Sequence, residues 1–174
     1  MVFDKMEETA FLKKMKKESK IALVEPSEEI KESYIKKAED CLKSAKILFE
    51  SQLYENSTSE AYYSMYNSLL ALLFKTGVKS ENHSASIILF KKLFNNNKMV
   101  EEISFAKGER IDKQYYVEAQ QIIKATKESC KTIINLAEGF IIKMKTLILE
   151  INNEIIRKAR VSFEDIFKEE LERA

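Results

Sequence analysis

Residues 60–83 gather side chains suited to acid–base or phosphate chemistry: Tyr62, Tyr63 and Tyr66 in one helical stretch, then Gly77, Lys79, Asn82 and His83, the only histidine of the chain. Histidine changes charge near neutral pH, so it can take, give or hold a proton. His83 falls behind Asn82 at a predicted helix start, where the positive end of the helix dipole disfavours imidazolium and leaves a neutral ring able to accept a proton. A cap or packing role is the structural alternative. Each buried tyrosine hydroxyl needs a hydrogen-bond partner, so a helix meant only to fill a core would use Leu and Ala at lower polar cost. Tyr62 and Tyr66, four residues apart, can stack along one side, and Tyr63 is expected to point elsewhere. Core or interface packing of the three rings is the competing reading.

Positive charge lies close by in sequence. Lys79, Lys91, Lys92 and Lys98 surround His83 and its helix and could hold a phosphate backbone while rings stack on bases, or could form a solvated face. Arg110 is the first arginine in the chain, followed by Asp112, Tyr115 and Tyr116. Its planar fork suits bidentate contact with a phosphate, or an internal pair with Asp112 or Glu118. Other chemistries lack their residues. A two-metal carboxylate site in a helical bundle needs Glu-x-x-His pairs, and Glu81 stands two residues before His83, on a different helix face. Gly77 alone makes no phosphate-binding loop. No motif asks for a metal or another cofactor. Cys41 and Cys130 fall on apolar faces and read as free buried thiols.

The elements that must position these residues follow from punctuation and period. Three glycines and one proline are too few turn residues for a sheet, so long helices are expected. The pattern predicts a helix over about 4–19. A second starts at Pro26 and Ser27 with Glu28 and Glu29 in its first turn, and carries Tyr34, Ala38, Cys41, Leu42, Ala45, Leu48 and Phe49 on one face. Ser57 and Glu60 form a capping-box signature for the next helix, apolar nearly all round, which Gly77 ends. A short helix over 84–94, an asparagine turn at 95–97, a short segment over 100–106 and a loop or broken helix over 107–114 follow. The last long helix keeps three- and four-residue steps through Ala119, Ile123, Thr126, Cys130, Ile133, Ala137, Ile141, Met144 and Ile148, with Gly139 inside it. A final short helix begins after Ser162. The sum is an all-α, up-and-down helical bundle of three to four long helices plus short ones. It reads as one domain over 1–174 with its core over about 32–148.

The charges nearly cancel at a net +1, so no global field draws the chain to nucleic acid or membrane. No apolar run approaches the roughly 20 residues that span a bilayer, and the N-terminus lacks a signal-peptide core, so a cytoplasmic protein without membrane contact is expected.

The order of parts resembles the HEPN domain: the helix over 34–53 with its alanines, the loop at Leu53, Tyr54 and Glu55, the run Ala61, Tyr62, Tyr63, Ser64, Met65, Tyr66, then Gly77, the triplet Asn82, His83, Ser84, then Phe90, Phe94, Arg110 to Tyr116 and a long closing helix. The resemblance covers about 32–148 and is closest to the small archaeal and bacterial branch. It implies a homodimer of helical bundles, often paired with a minimal nucleotidyltransferase in a toxin–antitoxin-type system. In ribonuclease members an Arg-x(4–6)-His motif from each subunit meets in one cleft and cuts RNA without metal. This chain departs from that motif, since no arginine precedes His83; Lys79, four residues before it, supplies only a point charge. The reading is therefore a binding or regulatory component in which Tyr62, Tyr66, Lys79, His83, Arg110 and Tyr115 line a cleft for a nucleotide or RNA phosphate. Its rivals are a metal-independent endoribonuclease, with His83 as base and Lys79 or Arg110 on the phosphate, and a purely structural dimerisation module.

The apolar girth of the helix over 60–76 and the long seam over 119–148 predict a second subunit. Light scattering at micromolar concentration should return about twice the chain mass of 20.2 kDa. A clean monomer would remove the expectation of a composite cleft.

Overall fold

The computed structural model describes residues 5–115 and 125–168; the side chains of Lys5 and of residues 111–115 lie outside that description. In chain order the elements are α1 (Lys5–Lys17), β1 (Ile21–Leu23), α2 (Glu28–Glu50), α3 (Tyr54–Lys75), β2 (Val78–Ser80), α4 (His83–Phe94), α5 (Asn97–Tyr115), α6 (Lys127–Glu150) and α7 (Asn153–Lys168). The bundle is all-α apart from the two short strands. Ser27 caps α2 by accepting from the Ile30 amide at 3.2 Å, and Glu28 and Glu29 complement the dipole in the first turn, as the sequence predicts.

The central helix is α3. Ala61, Tyr62, Met65, Leu69, Ala71, Leu72 and Leu73 are fully buried along it. Its neighbours are chiefly α2, then α6, then α5. Each buried leucine removes enough apolar area from water to favour folding by roughly 1.5–3 kcal/mol. Lys46 pairs with Glu138 at 2.5 Å and Lys145 pairs with Glu39, which sets α6 antiparallel to α2. The all-round apolar girth of α3 is thus covered within one chain. No helix among the described residues is long and apolar enough to cross a membrane.

Several boundaries differ from the sequence pattern, each for a physical reason. Ser57 does not cap α3, which begins at Tyr54 behind Leu53 with no side-chain cap. The three-residue turn after α2, with Gln52 at φ 60°, returns the chain to helix early. The Ser57 hydroxyl, now buried, donates to the Ala45 carbonyl of α2 at 2.7 Å and accepts from Cys130 Sγ at 3.1 Å. The stretch 107–114 is no loop: α5 runs unbroken across Gly108, and Met99, Ile103 and Ala106 bury its inner face at helical spacing. Thr126 is the N-cap of α6, in a reciprocal pair with Ser129, rather than a seam residue; Ala119 and Ile123 lie outside the described residues. The last helix starts at Asn153, not after Ser162. Finally, β1 and β2 pair antiparallel, with Ile21 opposite Ser80 and Leu23 opposite Val78. A turn census cannot register a pair whose strands lie so far apart in the chain.

Gly77 turns the chain from α3 into β2 at φ +73°. Its carbonyl accepts from the Val24 amide at 2.9 Å, and Arg160 of α7 donates to the carbonyls of both Val24 and Gly77. A β-carbon at position 77 would sit 2.6 Å from the Val24 oxygen and collide with Arg160 Nη1. Gly77→Ala is expected to lower the urea-unfolding free energy by more than about 1 kcal/mol, since it adds steric conflict to an unfavourable φ. A midpoint matching the parent would show that this corner is not the constraint described.

Candidate functional site

The end of β2 delivers Asn82, whose side chain accepts from the Ala85 amide at 3.0 Å and so starts α4 at His83. The His83 ring lands on the tyrosine face of α3. It stacks on Tyr66 with centroids 3.8 Å apart and planes 11° apart, lies 5.6 Å from Tyr62 at 24°, and meets the edge of Tyr63 at 6.1 Å. Tyr62 Oη and His83 Nδ1 are 2.6 Å apart. Tyr66 Oη reaches Ser86 Oγ at 3.3 Å, and Ser86 Oγ reaches Ser80 Oγ at 2.8 Å, which ties β2 to α4 and α3.

Two cations arrive from α5, three residues apart and therefore on one face. Lys107 donates to Ser84 Oγ in the first turn of α4. The Arg110 guanidinium lies over Tyr63 at 4.8 Å and Tyr62 at 5.6 Å, cation–π distances, and its Nε is buried with no hydrogen-bond partner among the described residues. Burial, then the charges of Arg110 and Lys107, push the His83 pKa down to about 4, so the ring is neutral at neutral pH. Burial and Arg110 also lower Lys107, while burial raises Tyr62 and Tyr66 and keeps both phenols protonated. Positive charge is concentrated at the start of a helix whose own dipole is positive there, an arrangement suited to an anion. Among the described residues no group of His, Cys, Asp and Glu is placed to hold a metal ion.

Of the residues singled out from sequence, Tyr62, Tyr66, His83 and Arg110 come together. Lys79 instead pairs with Glu81 at 2.7 Å, and no contact among the described residues ties it to His83. Lys91 and Lys92 engage Glu8 of α1. Tyr63 joins the cluster rather than pointing elsewhere, because its ring lies edge-on to His83, against Tyr62 and under the Arg110 guanidinium. The side chains of Asp112 and Tyr115, and all of Tyr116 and Glu118, lie outside the described residues. Tyr62 is fully buried, and Tyr66, at 7% exposure, has the imidazole against its ring, so neither offers an open face for base stacking. Sequence reasoning missed Lys107 by reading its segment as a loop. The available signal was the series Met99, Ile103, Ala106, Arg110, which places the arginine at the next inward position of one helix.

Residues 31–147 match the family model described as HEPN domain, a span that leaves α1, β1 and α7 outside. A Methanocaldococcus jannaschii protein named "Putative toxin MJ0605" is 35% identical over 123 residues, covering 69% of this chain and 90% of that protein. A Thermotoga maritima relative named "UPF0332 protein" is 25% identical over 122 residues, 70% of this chain and 92% of its own length. A second Methanocaldococcus jannaschii relative, "Putative toxin MJ0142", is 26% identical over 122 residues, 70% of this chain and 83% of that protein.

The depressed His83 pKa links stability to pH. Between pH 6.5 and about 4 the unfolded histidine takes up a proton that the folded one refuses, so this contribution is complete above pH 6.5 and is lost as the pH falls toward 4. Unfolding free energies measured across this window should fall more steeply for the parent than for His83→Gln, by as much as about 1.4 kcal/mol per pH unit. Parallel profiles would place the imidazole in water.

Proposed function

This chain belongs to the HEPN domain family, and from that premise we propose that it is a component of a toxin–antitoxin-type system that binds the phosphate of a nucleotide or RNA at the start of α4. The observation that carries this reading is the meeting of Lys107 and Arg110 at His83 and Ser84, two desolvated cations beside a neutral ring and a helix N-terminus. The names of two relatives supply the toxin setting. Because the tyrosine rings are committed to His83 and Arg110, recognition rests on phosphate rather than on base, and little sequence preference is expected. A homodimer and a minimal nucleotidyltransferase partner complete the proposal, with the cytoplasm as its place of action. Ile142 and Leu149, one heptad apart on α6 and 67% and 86% exposed, are the surface that a second copy would use.

A second reading, metal-independent RNA cleavage, gains from one observation. Arg110 brings to His83 the guanidinium that no residue preceding it in sequence provides, a group able to stabilise charge developing on a phosphate. There His83 would take the 2′-hydroxyl proton.

Both are tested with a labelled single-stranded RNA in the presence of a chelator. Lys107→Glu and Arg110→Glu should each weaken binding by about tenfold or more and reduce the salt dependence by about one phosphate contact. Lys79→Glu should stay close to the parent. Intact RNA throughout supports the binding component, and cleavage that His83→Gln abolishes would establish the ribonuclease. A parent protein that neither binds nor cuts RNA or a nucleotide would leave a structural module.

A further inference from the structure

The 2.6 Å contact between Tyr62 Oη and His83 Nδ1 holds one hydrogen, and its owner decides what the rest of the ring can do. Tyr62 is fully buried, and its hydroxyl has no other partner among the described residues. The groups around it narrow the choice. Arg110 and Lys107 are donors without acceptor capacity, and the Tyr66 hydroxyl is engaged with Ser86. If Nδ1 carried the hydrogen, the phenolic hydrogen would be buried without an acceptor among the described residues, an arrangement that folded proteins avoid. The phenol must therefore donate and Nδ1 must accept. A neutral imidazole whose Nδ1 accepts carries its hydrogen on Nε2, and Nε2 has no partner among the described residues.

We propose that Tyr62 is a positioning residue that fixes His83 as the Nε2–H tautomer, so that His83, Lys107 and Arg110 form a donor-only cradle for the oxygens of a phosphate group. The ligand half of this inference rests on the phosphate-binding reading above; the tautomer half does not. A ring locked this way cannot take a proton at Nε2, which separates binding phosphate from abstracting the 2′-hydroxyl proton of RNA. It also disfavours cations and other ligands that bring hydrogens needing acceptors.

The single histidine makes the test direct, because an untagged protein labelled with 15N-histidine has one imidazole to observe. At neutral pH the nitrogen spectrum should show a protonated Nε2 and an unprotonated, hydrogen-bonded Nδ1. Tyr62→Phe should move the ring toward a mixture of tautomers, a change that loss of packing alone does not produce. Titrating inorganic phosphate into the parent should shift Nε2, and Tyr62→Phe should weaken that binding roughly 2- to 10-fold. Hydrogen on Nδ1 in the parent overturns the lock while leaving phosphate binding intact as a reading. A locked ring whose Nε2 stays unmoved although phosphate binds overturns the cradle. A locked ring in a protein that binds neither phosphate nor RNA overturns the phosphate reading and the cradle together, with the tautomer assignment upheld. Should Tyr62→Phe fail to fold by circular dichroism, the parent spectrum alone decides the tautomer.

Discussion

A helix buried on every side must find hydrogen-bond partners for its polar side chains, in its own backbone or in neighbouring elements, and that requirement organises this molecule around α3. The hydroxyl of Ser57 is answered by the Ala45 carbonyl of α2 and by Cys130 of α6. Tyr62 is answered by His83, Tyr66 by Ser86, and the Asn67 amide by the Tyr63 carbonyl and by Cys41. Each pairing that leaves α3 fixes another element at a particular height along it, which apolar contact alone specifies loosely. Thr58 Oγ1 and Ser59 Oγ are buried without a partner among the described residues. The site is therefore not added to a finished core. Its histidine is one of the groups that satisfy the core.

That dependence gives the parts outside the matched span a role. Glu8 of α1, 5% exposed, receives Lys91 and Lys92 of α4 at 2.7 and 3.5 Å. Lys16 lies 4.1 Å from the centre of the Phe167 ring. The Lys20 carbonyl accepts from the Glu81 amide at 2.8 Å, and Arg160 closes on Val24 and Gly77. The Lys16 contact joins α1 to α7, and the others bear on residues 77–92, the segment with His83 near its middle. Surface ion pairs contribute little alone, but Glu8 is buried and its pairs anchor the last turn of α4 to α1. The added elements thus hold in place the backbone that presents the imidazole.

What was legible in the sequence was local. The cap at Ser27, the positive φ at Gly77 and the start of α4 behind Asn82 each depend on a few adjacent residues, and the apolar period of α2 spans one helix. What was not legible depended on contact between distant segments. Ser57 carries the signature of a cap, but the short turn before it moves the helix start to Tyr54 and leaves its hydroxyl to a carbonyl of another helix. The charged run after Ala106 hides an inward period of only one residue per turn, so Arg110 could be named as a phosphate ligand without any route to His83. Lys79, near His83 in sequence, is drawn off by Glu81, while Lys107, 24 positions away, takes the place expected of it. Sequence proximity was a poor guide because α4 and α5 fold back on one another.

The remaining question is why two cations are held so close together. Burial and then Arg110 lower the pKa of Lys107, burial and then the two cations lower that of His83, and Arg110 Nε lies buried without an acceptor among the described residues. Among the described residues no carboxylate pairs with either, and partly buried charge without such a partner opposes folding. The cation–π contacts of Arg110 with Tyr62 and Tyr63 offset part of that cost but accept no hydrogen bond. A phosphate at the start of α4 would supply negative charge and oxygen acceptors, and by linkage would stabilise the folded chain in proportion to its affinity. On the phosphate-binding proposal, the arrangement is more favourable filled than empty. A binding site differs in this respect from a core, and the tyrosines that hold His83 let the one be built against the other.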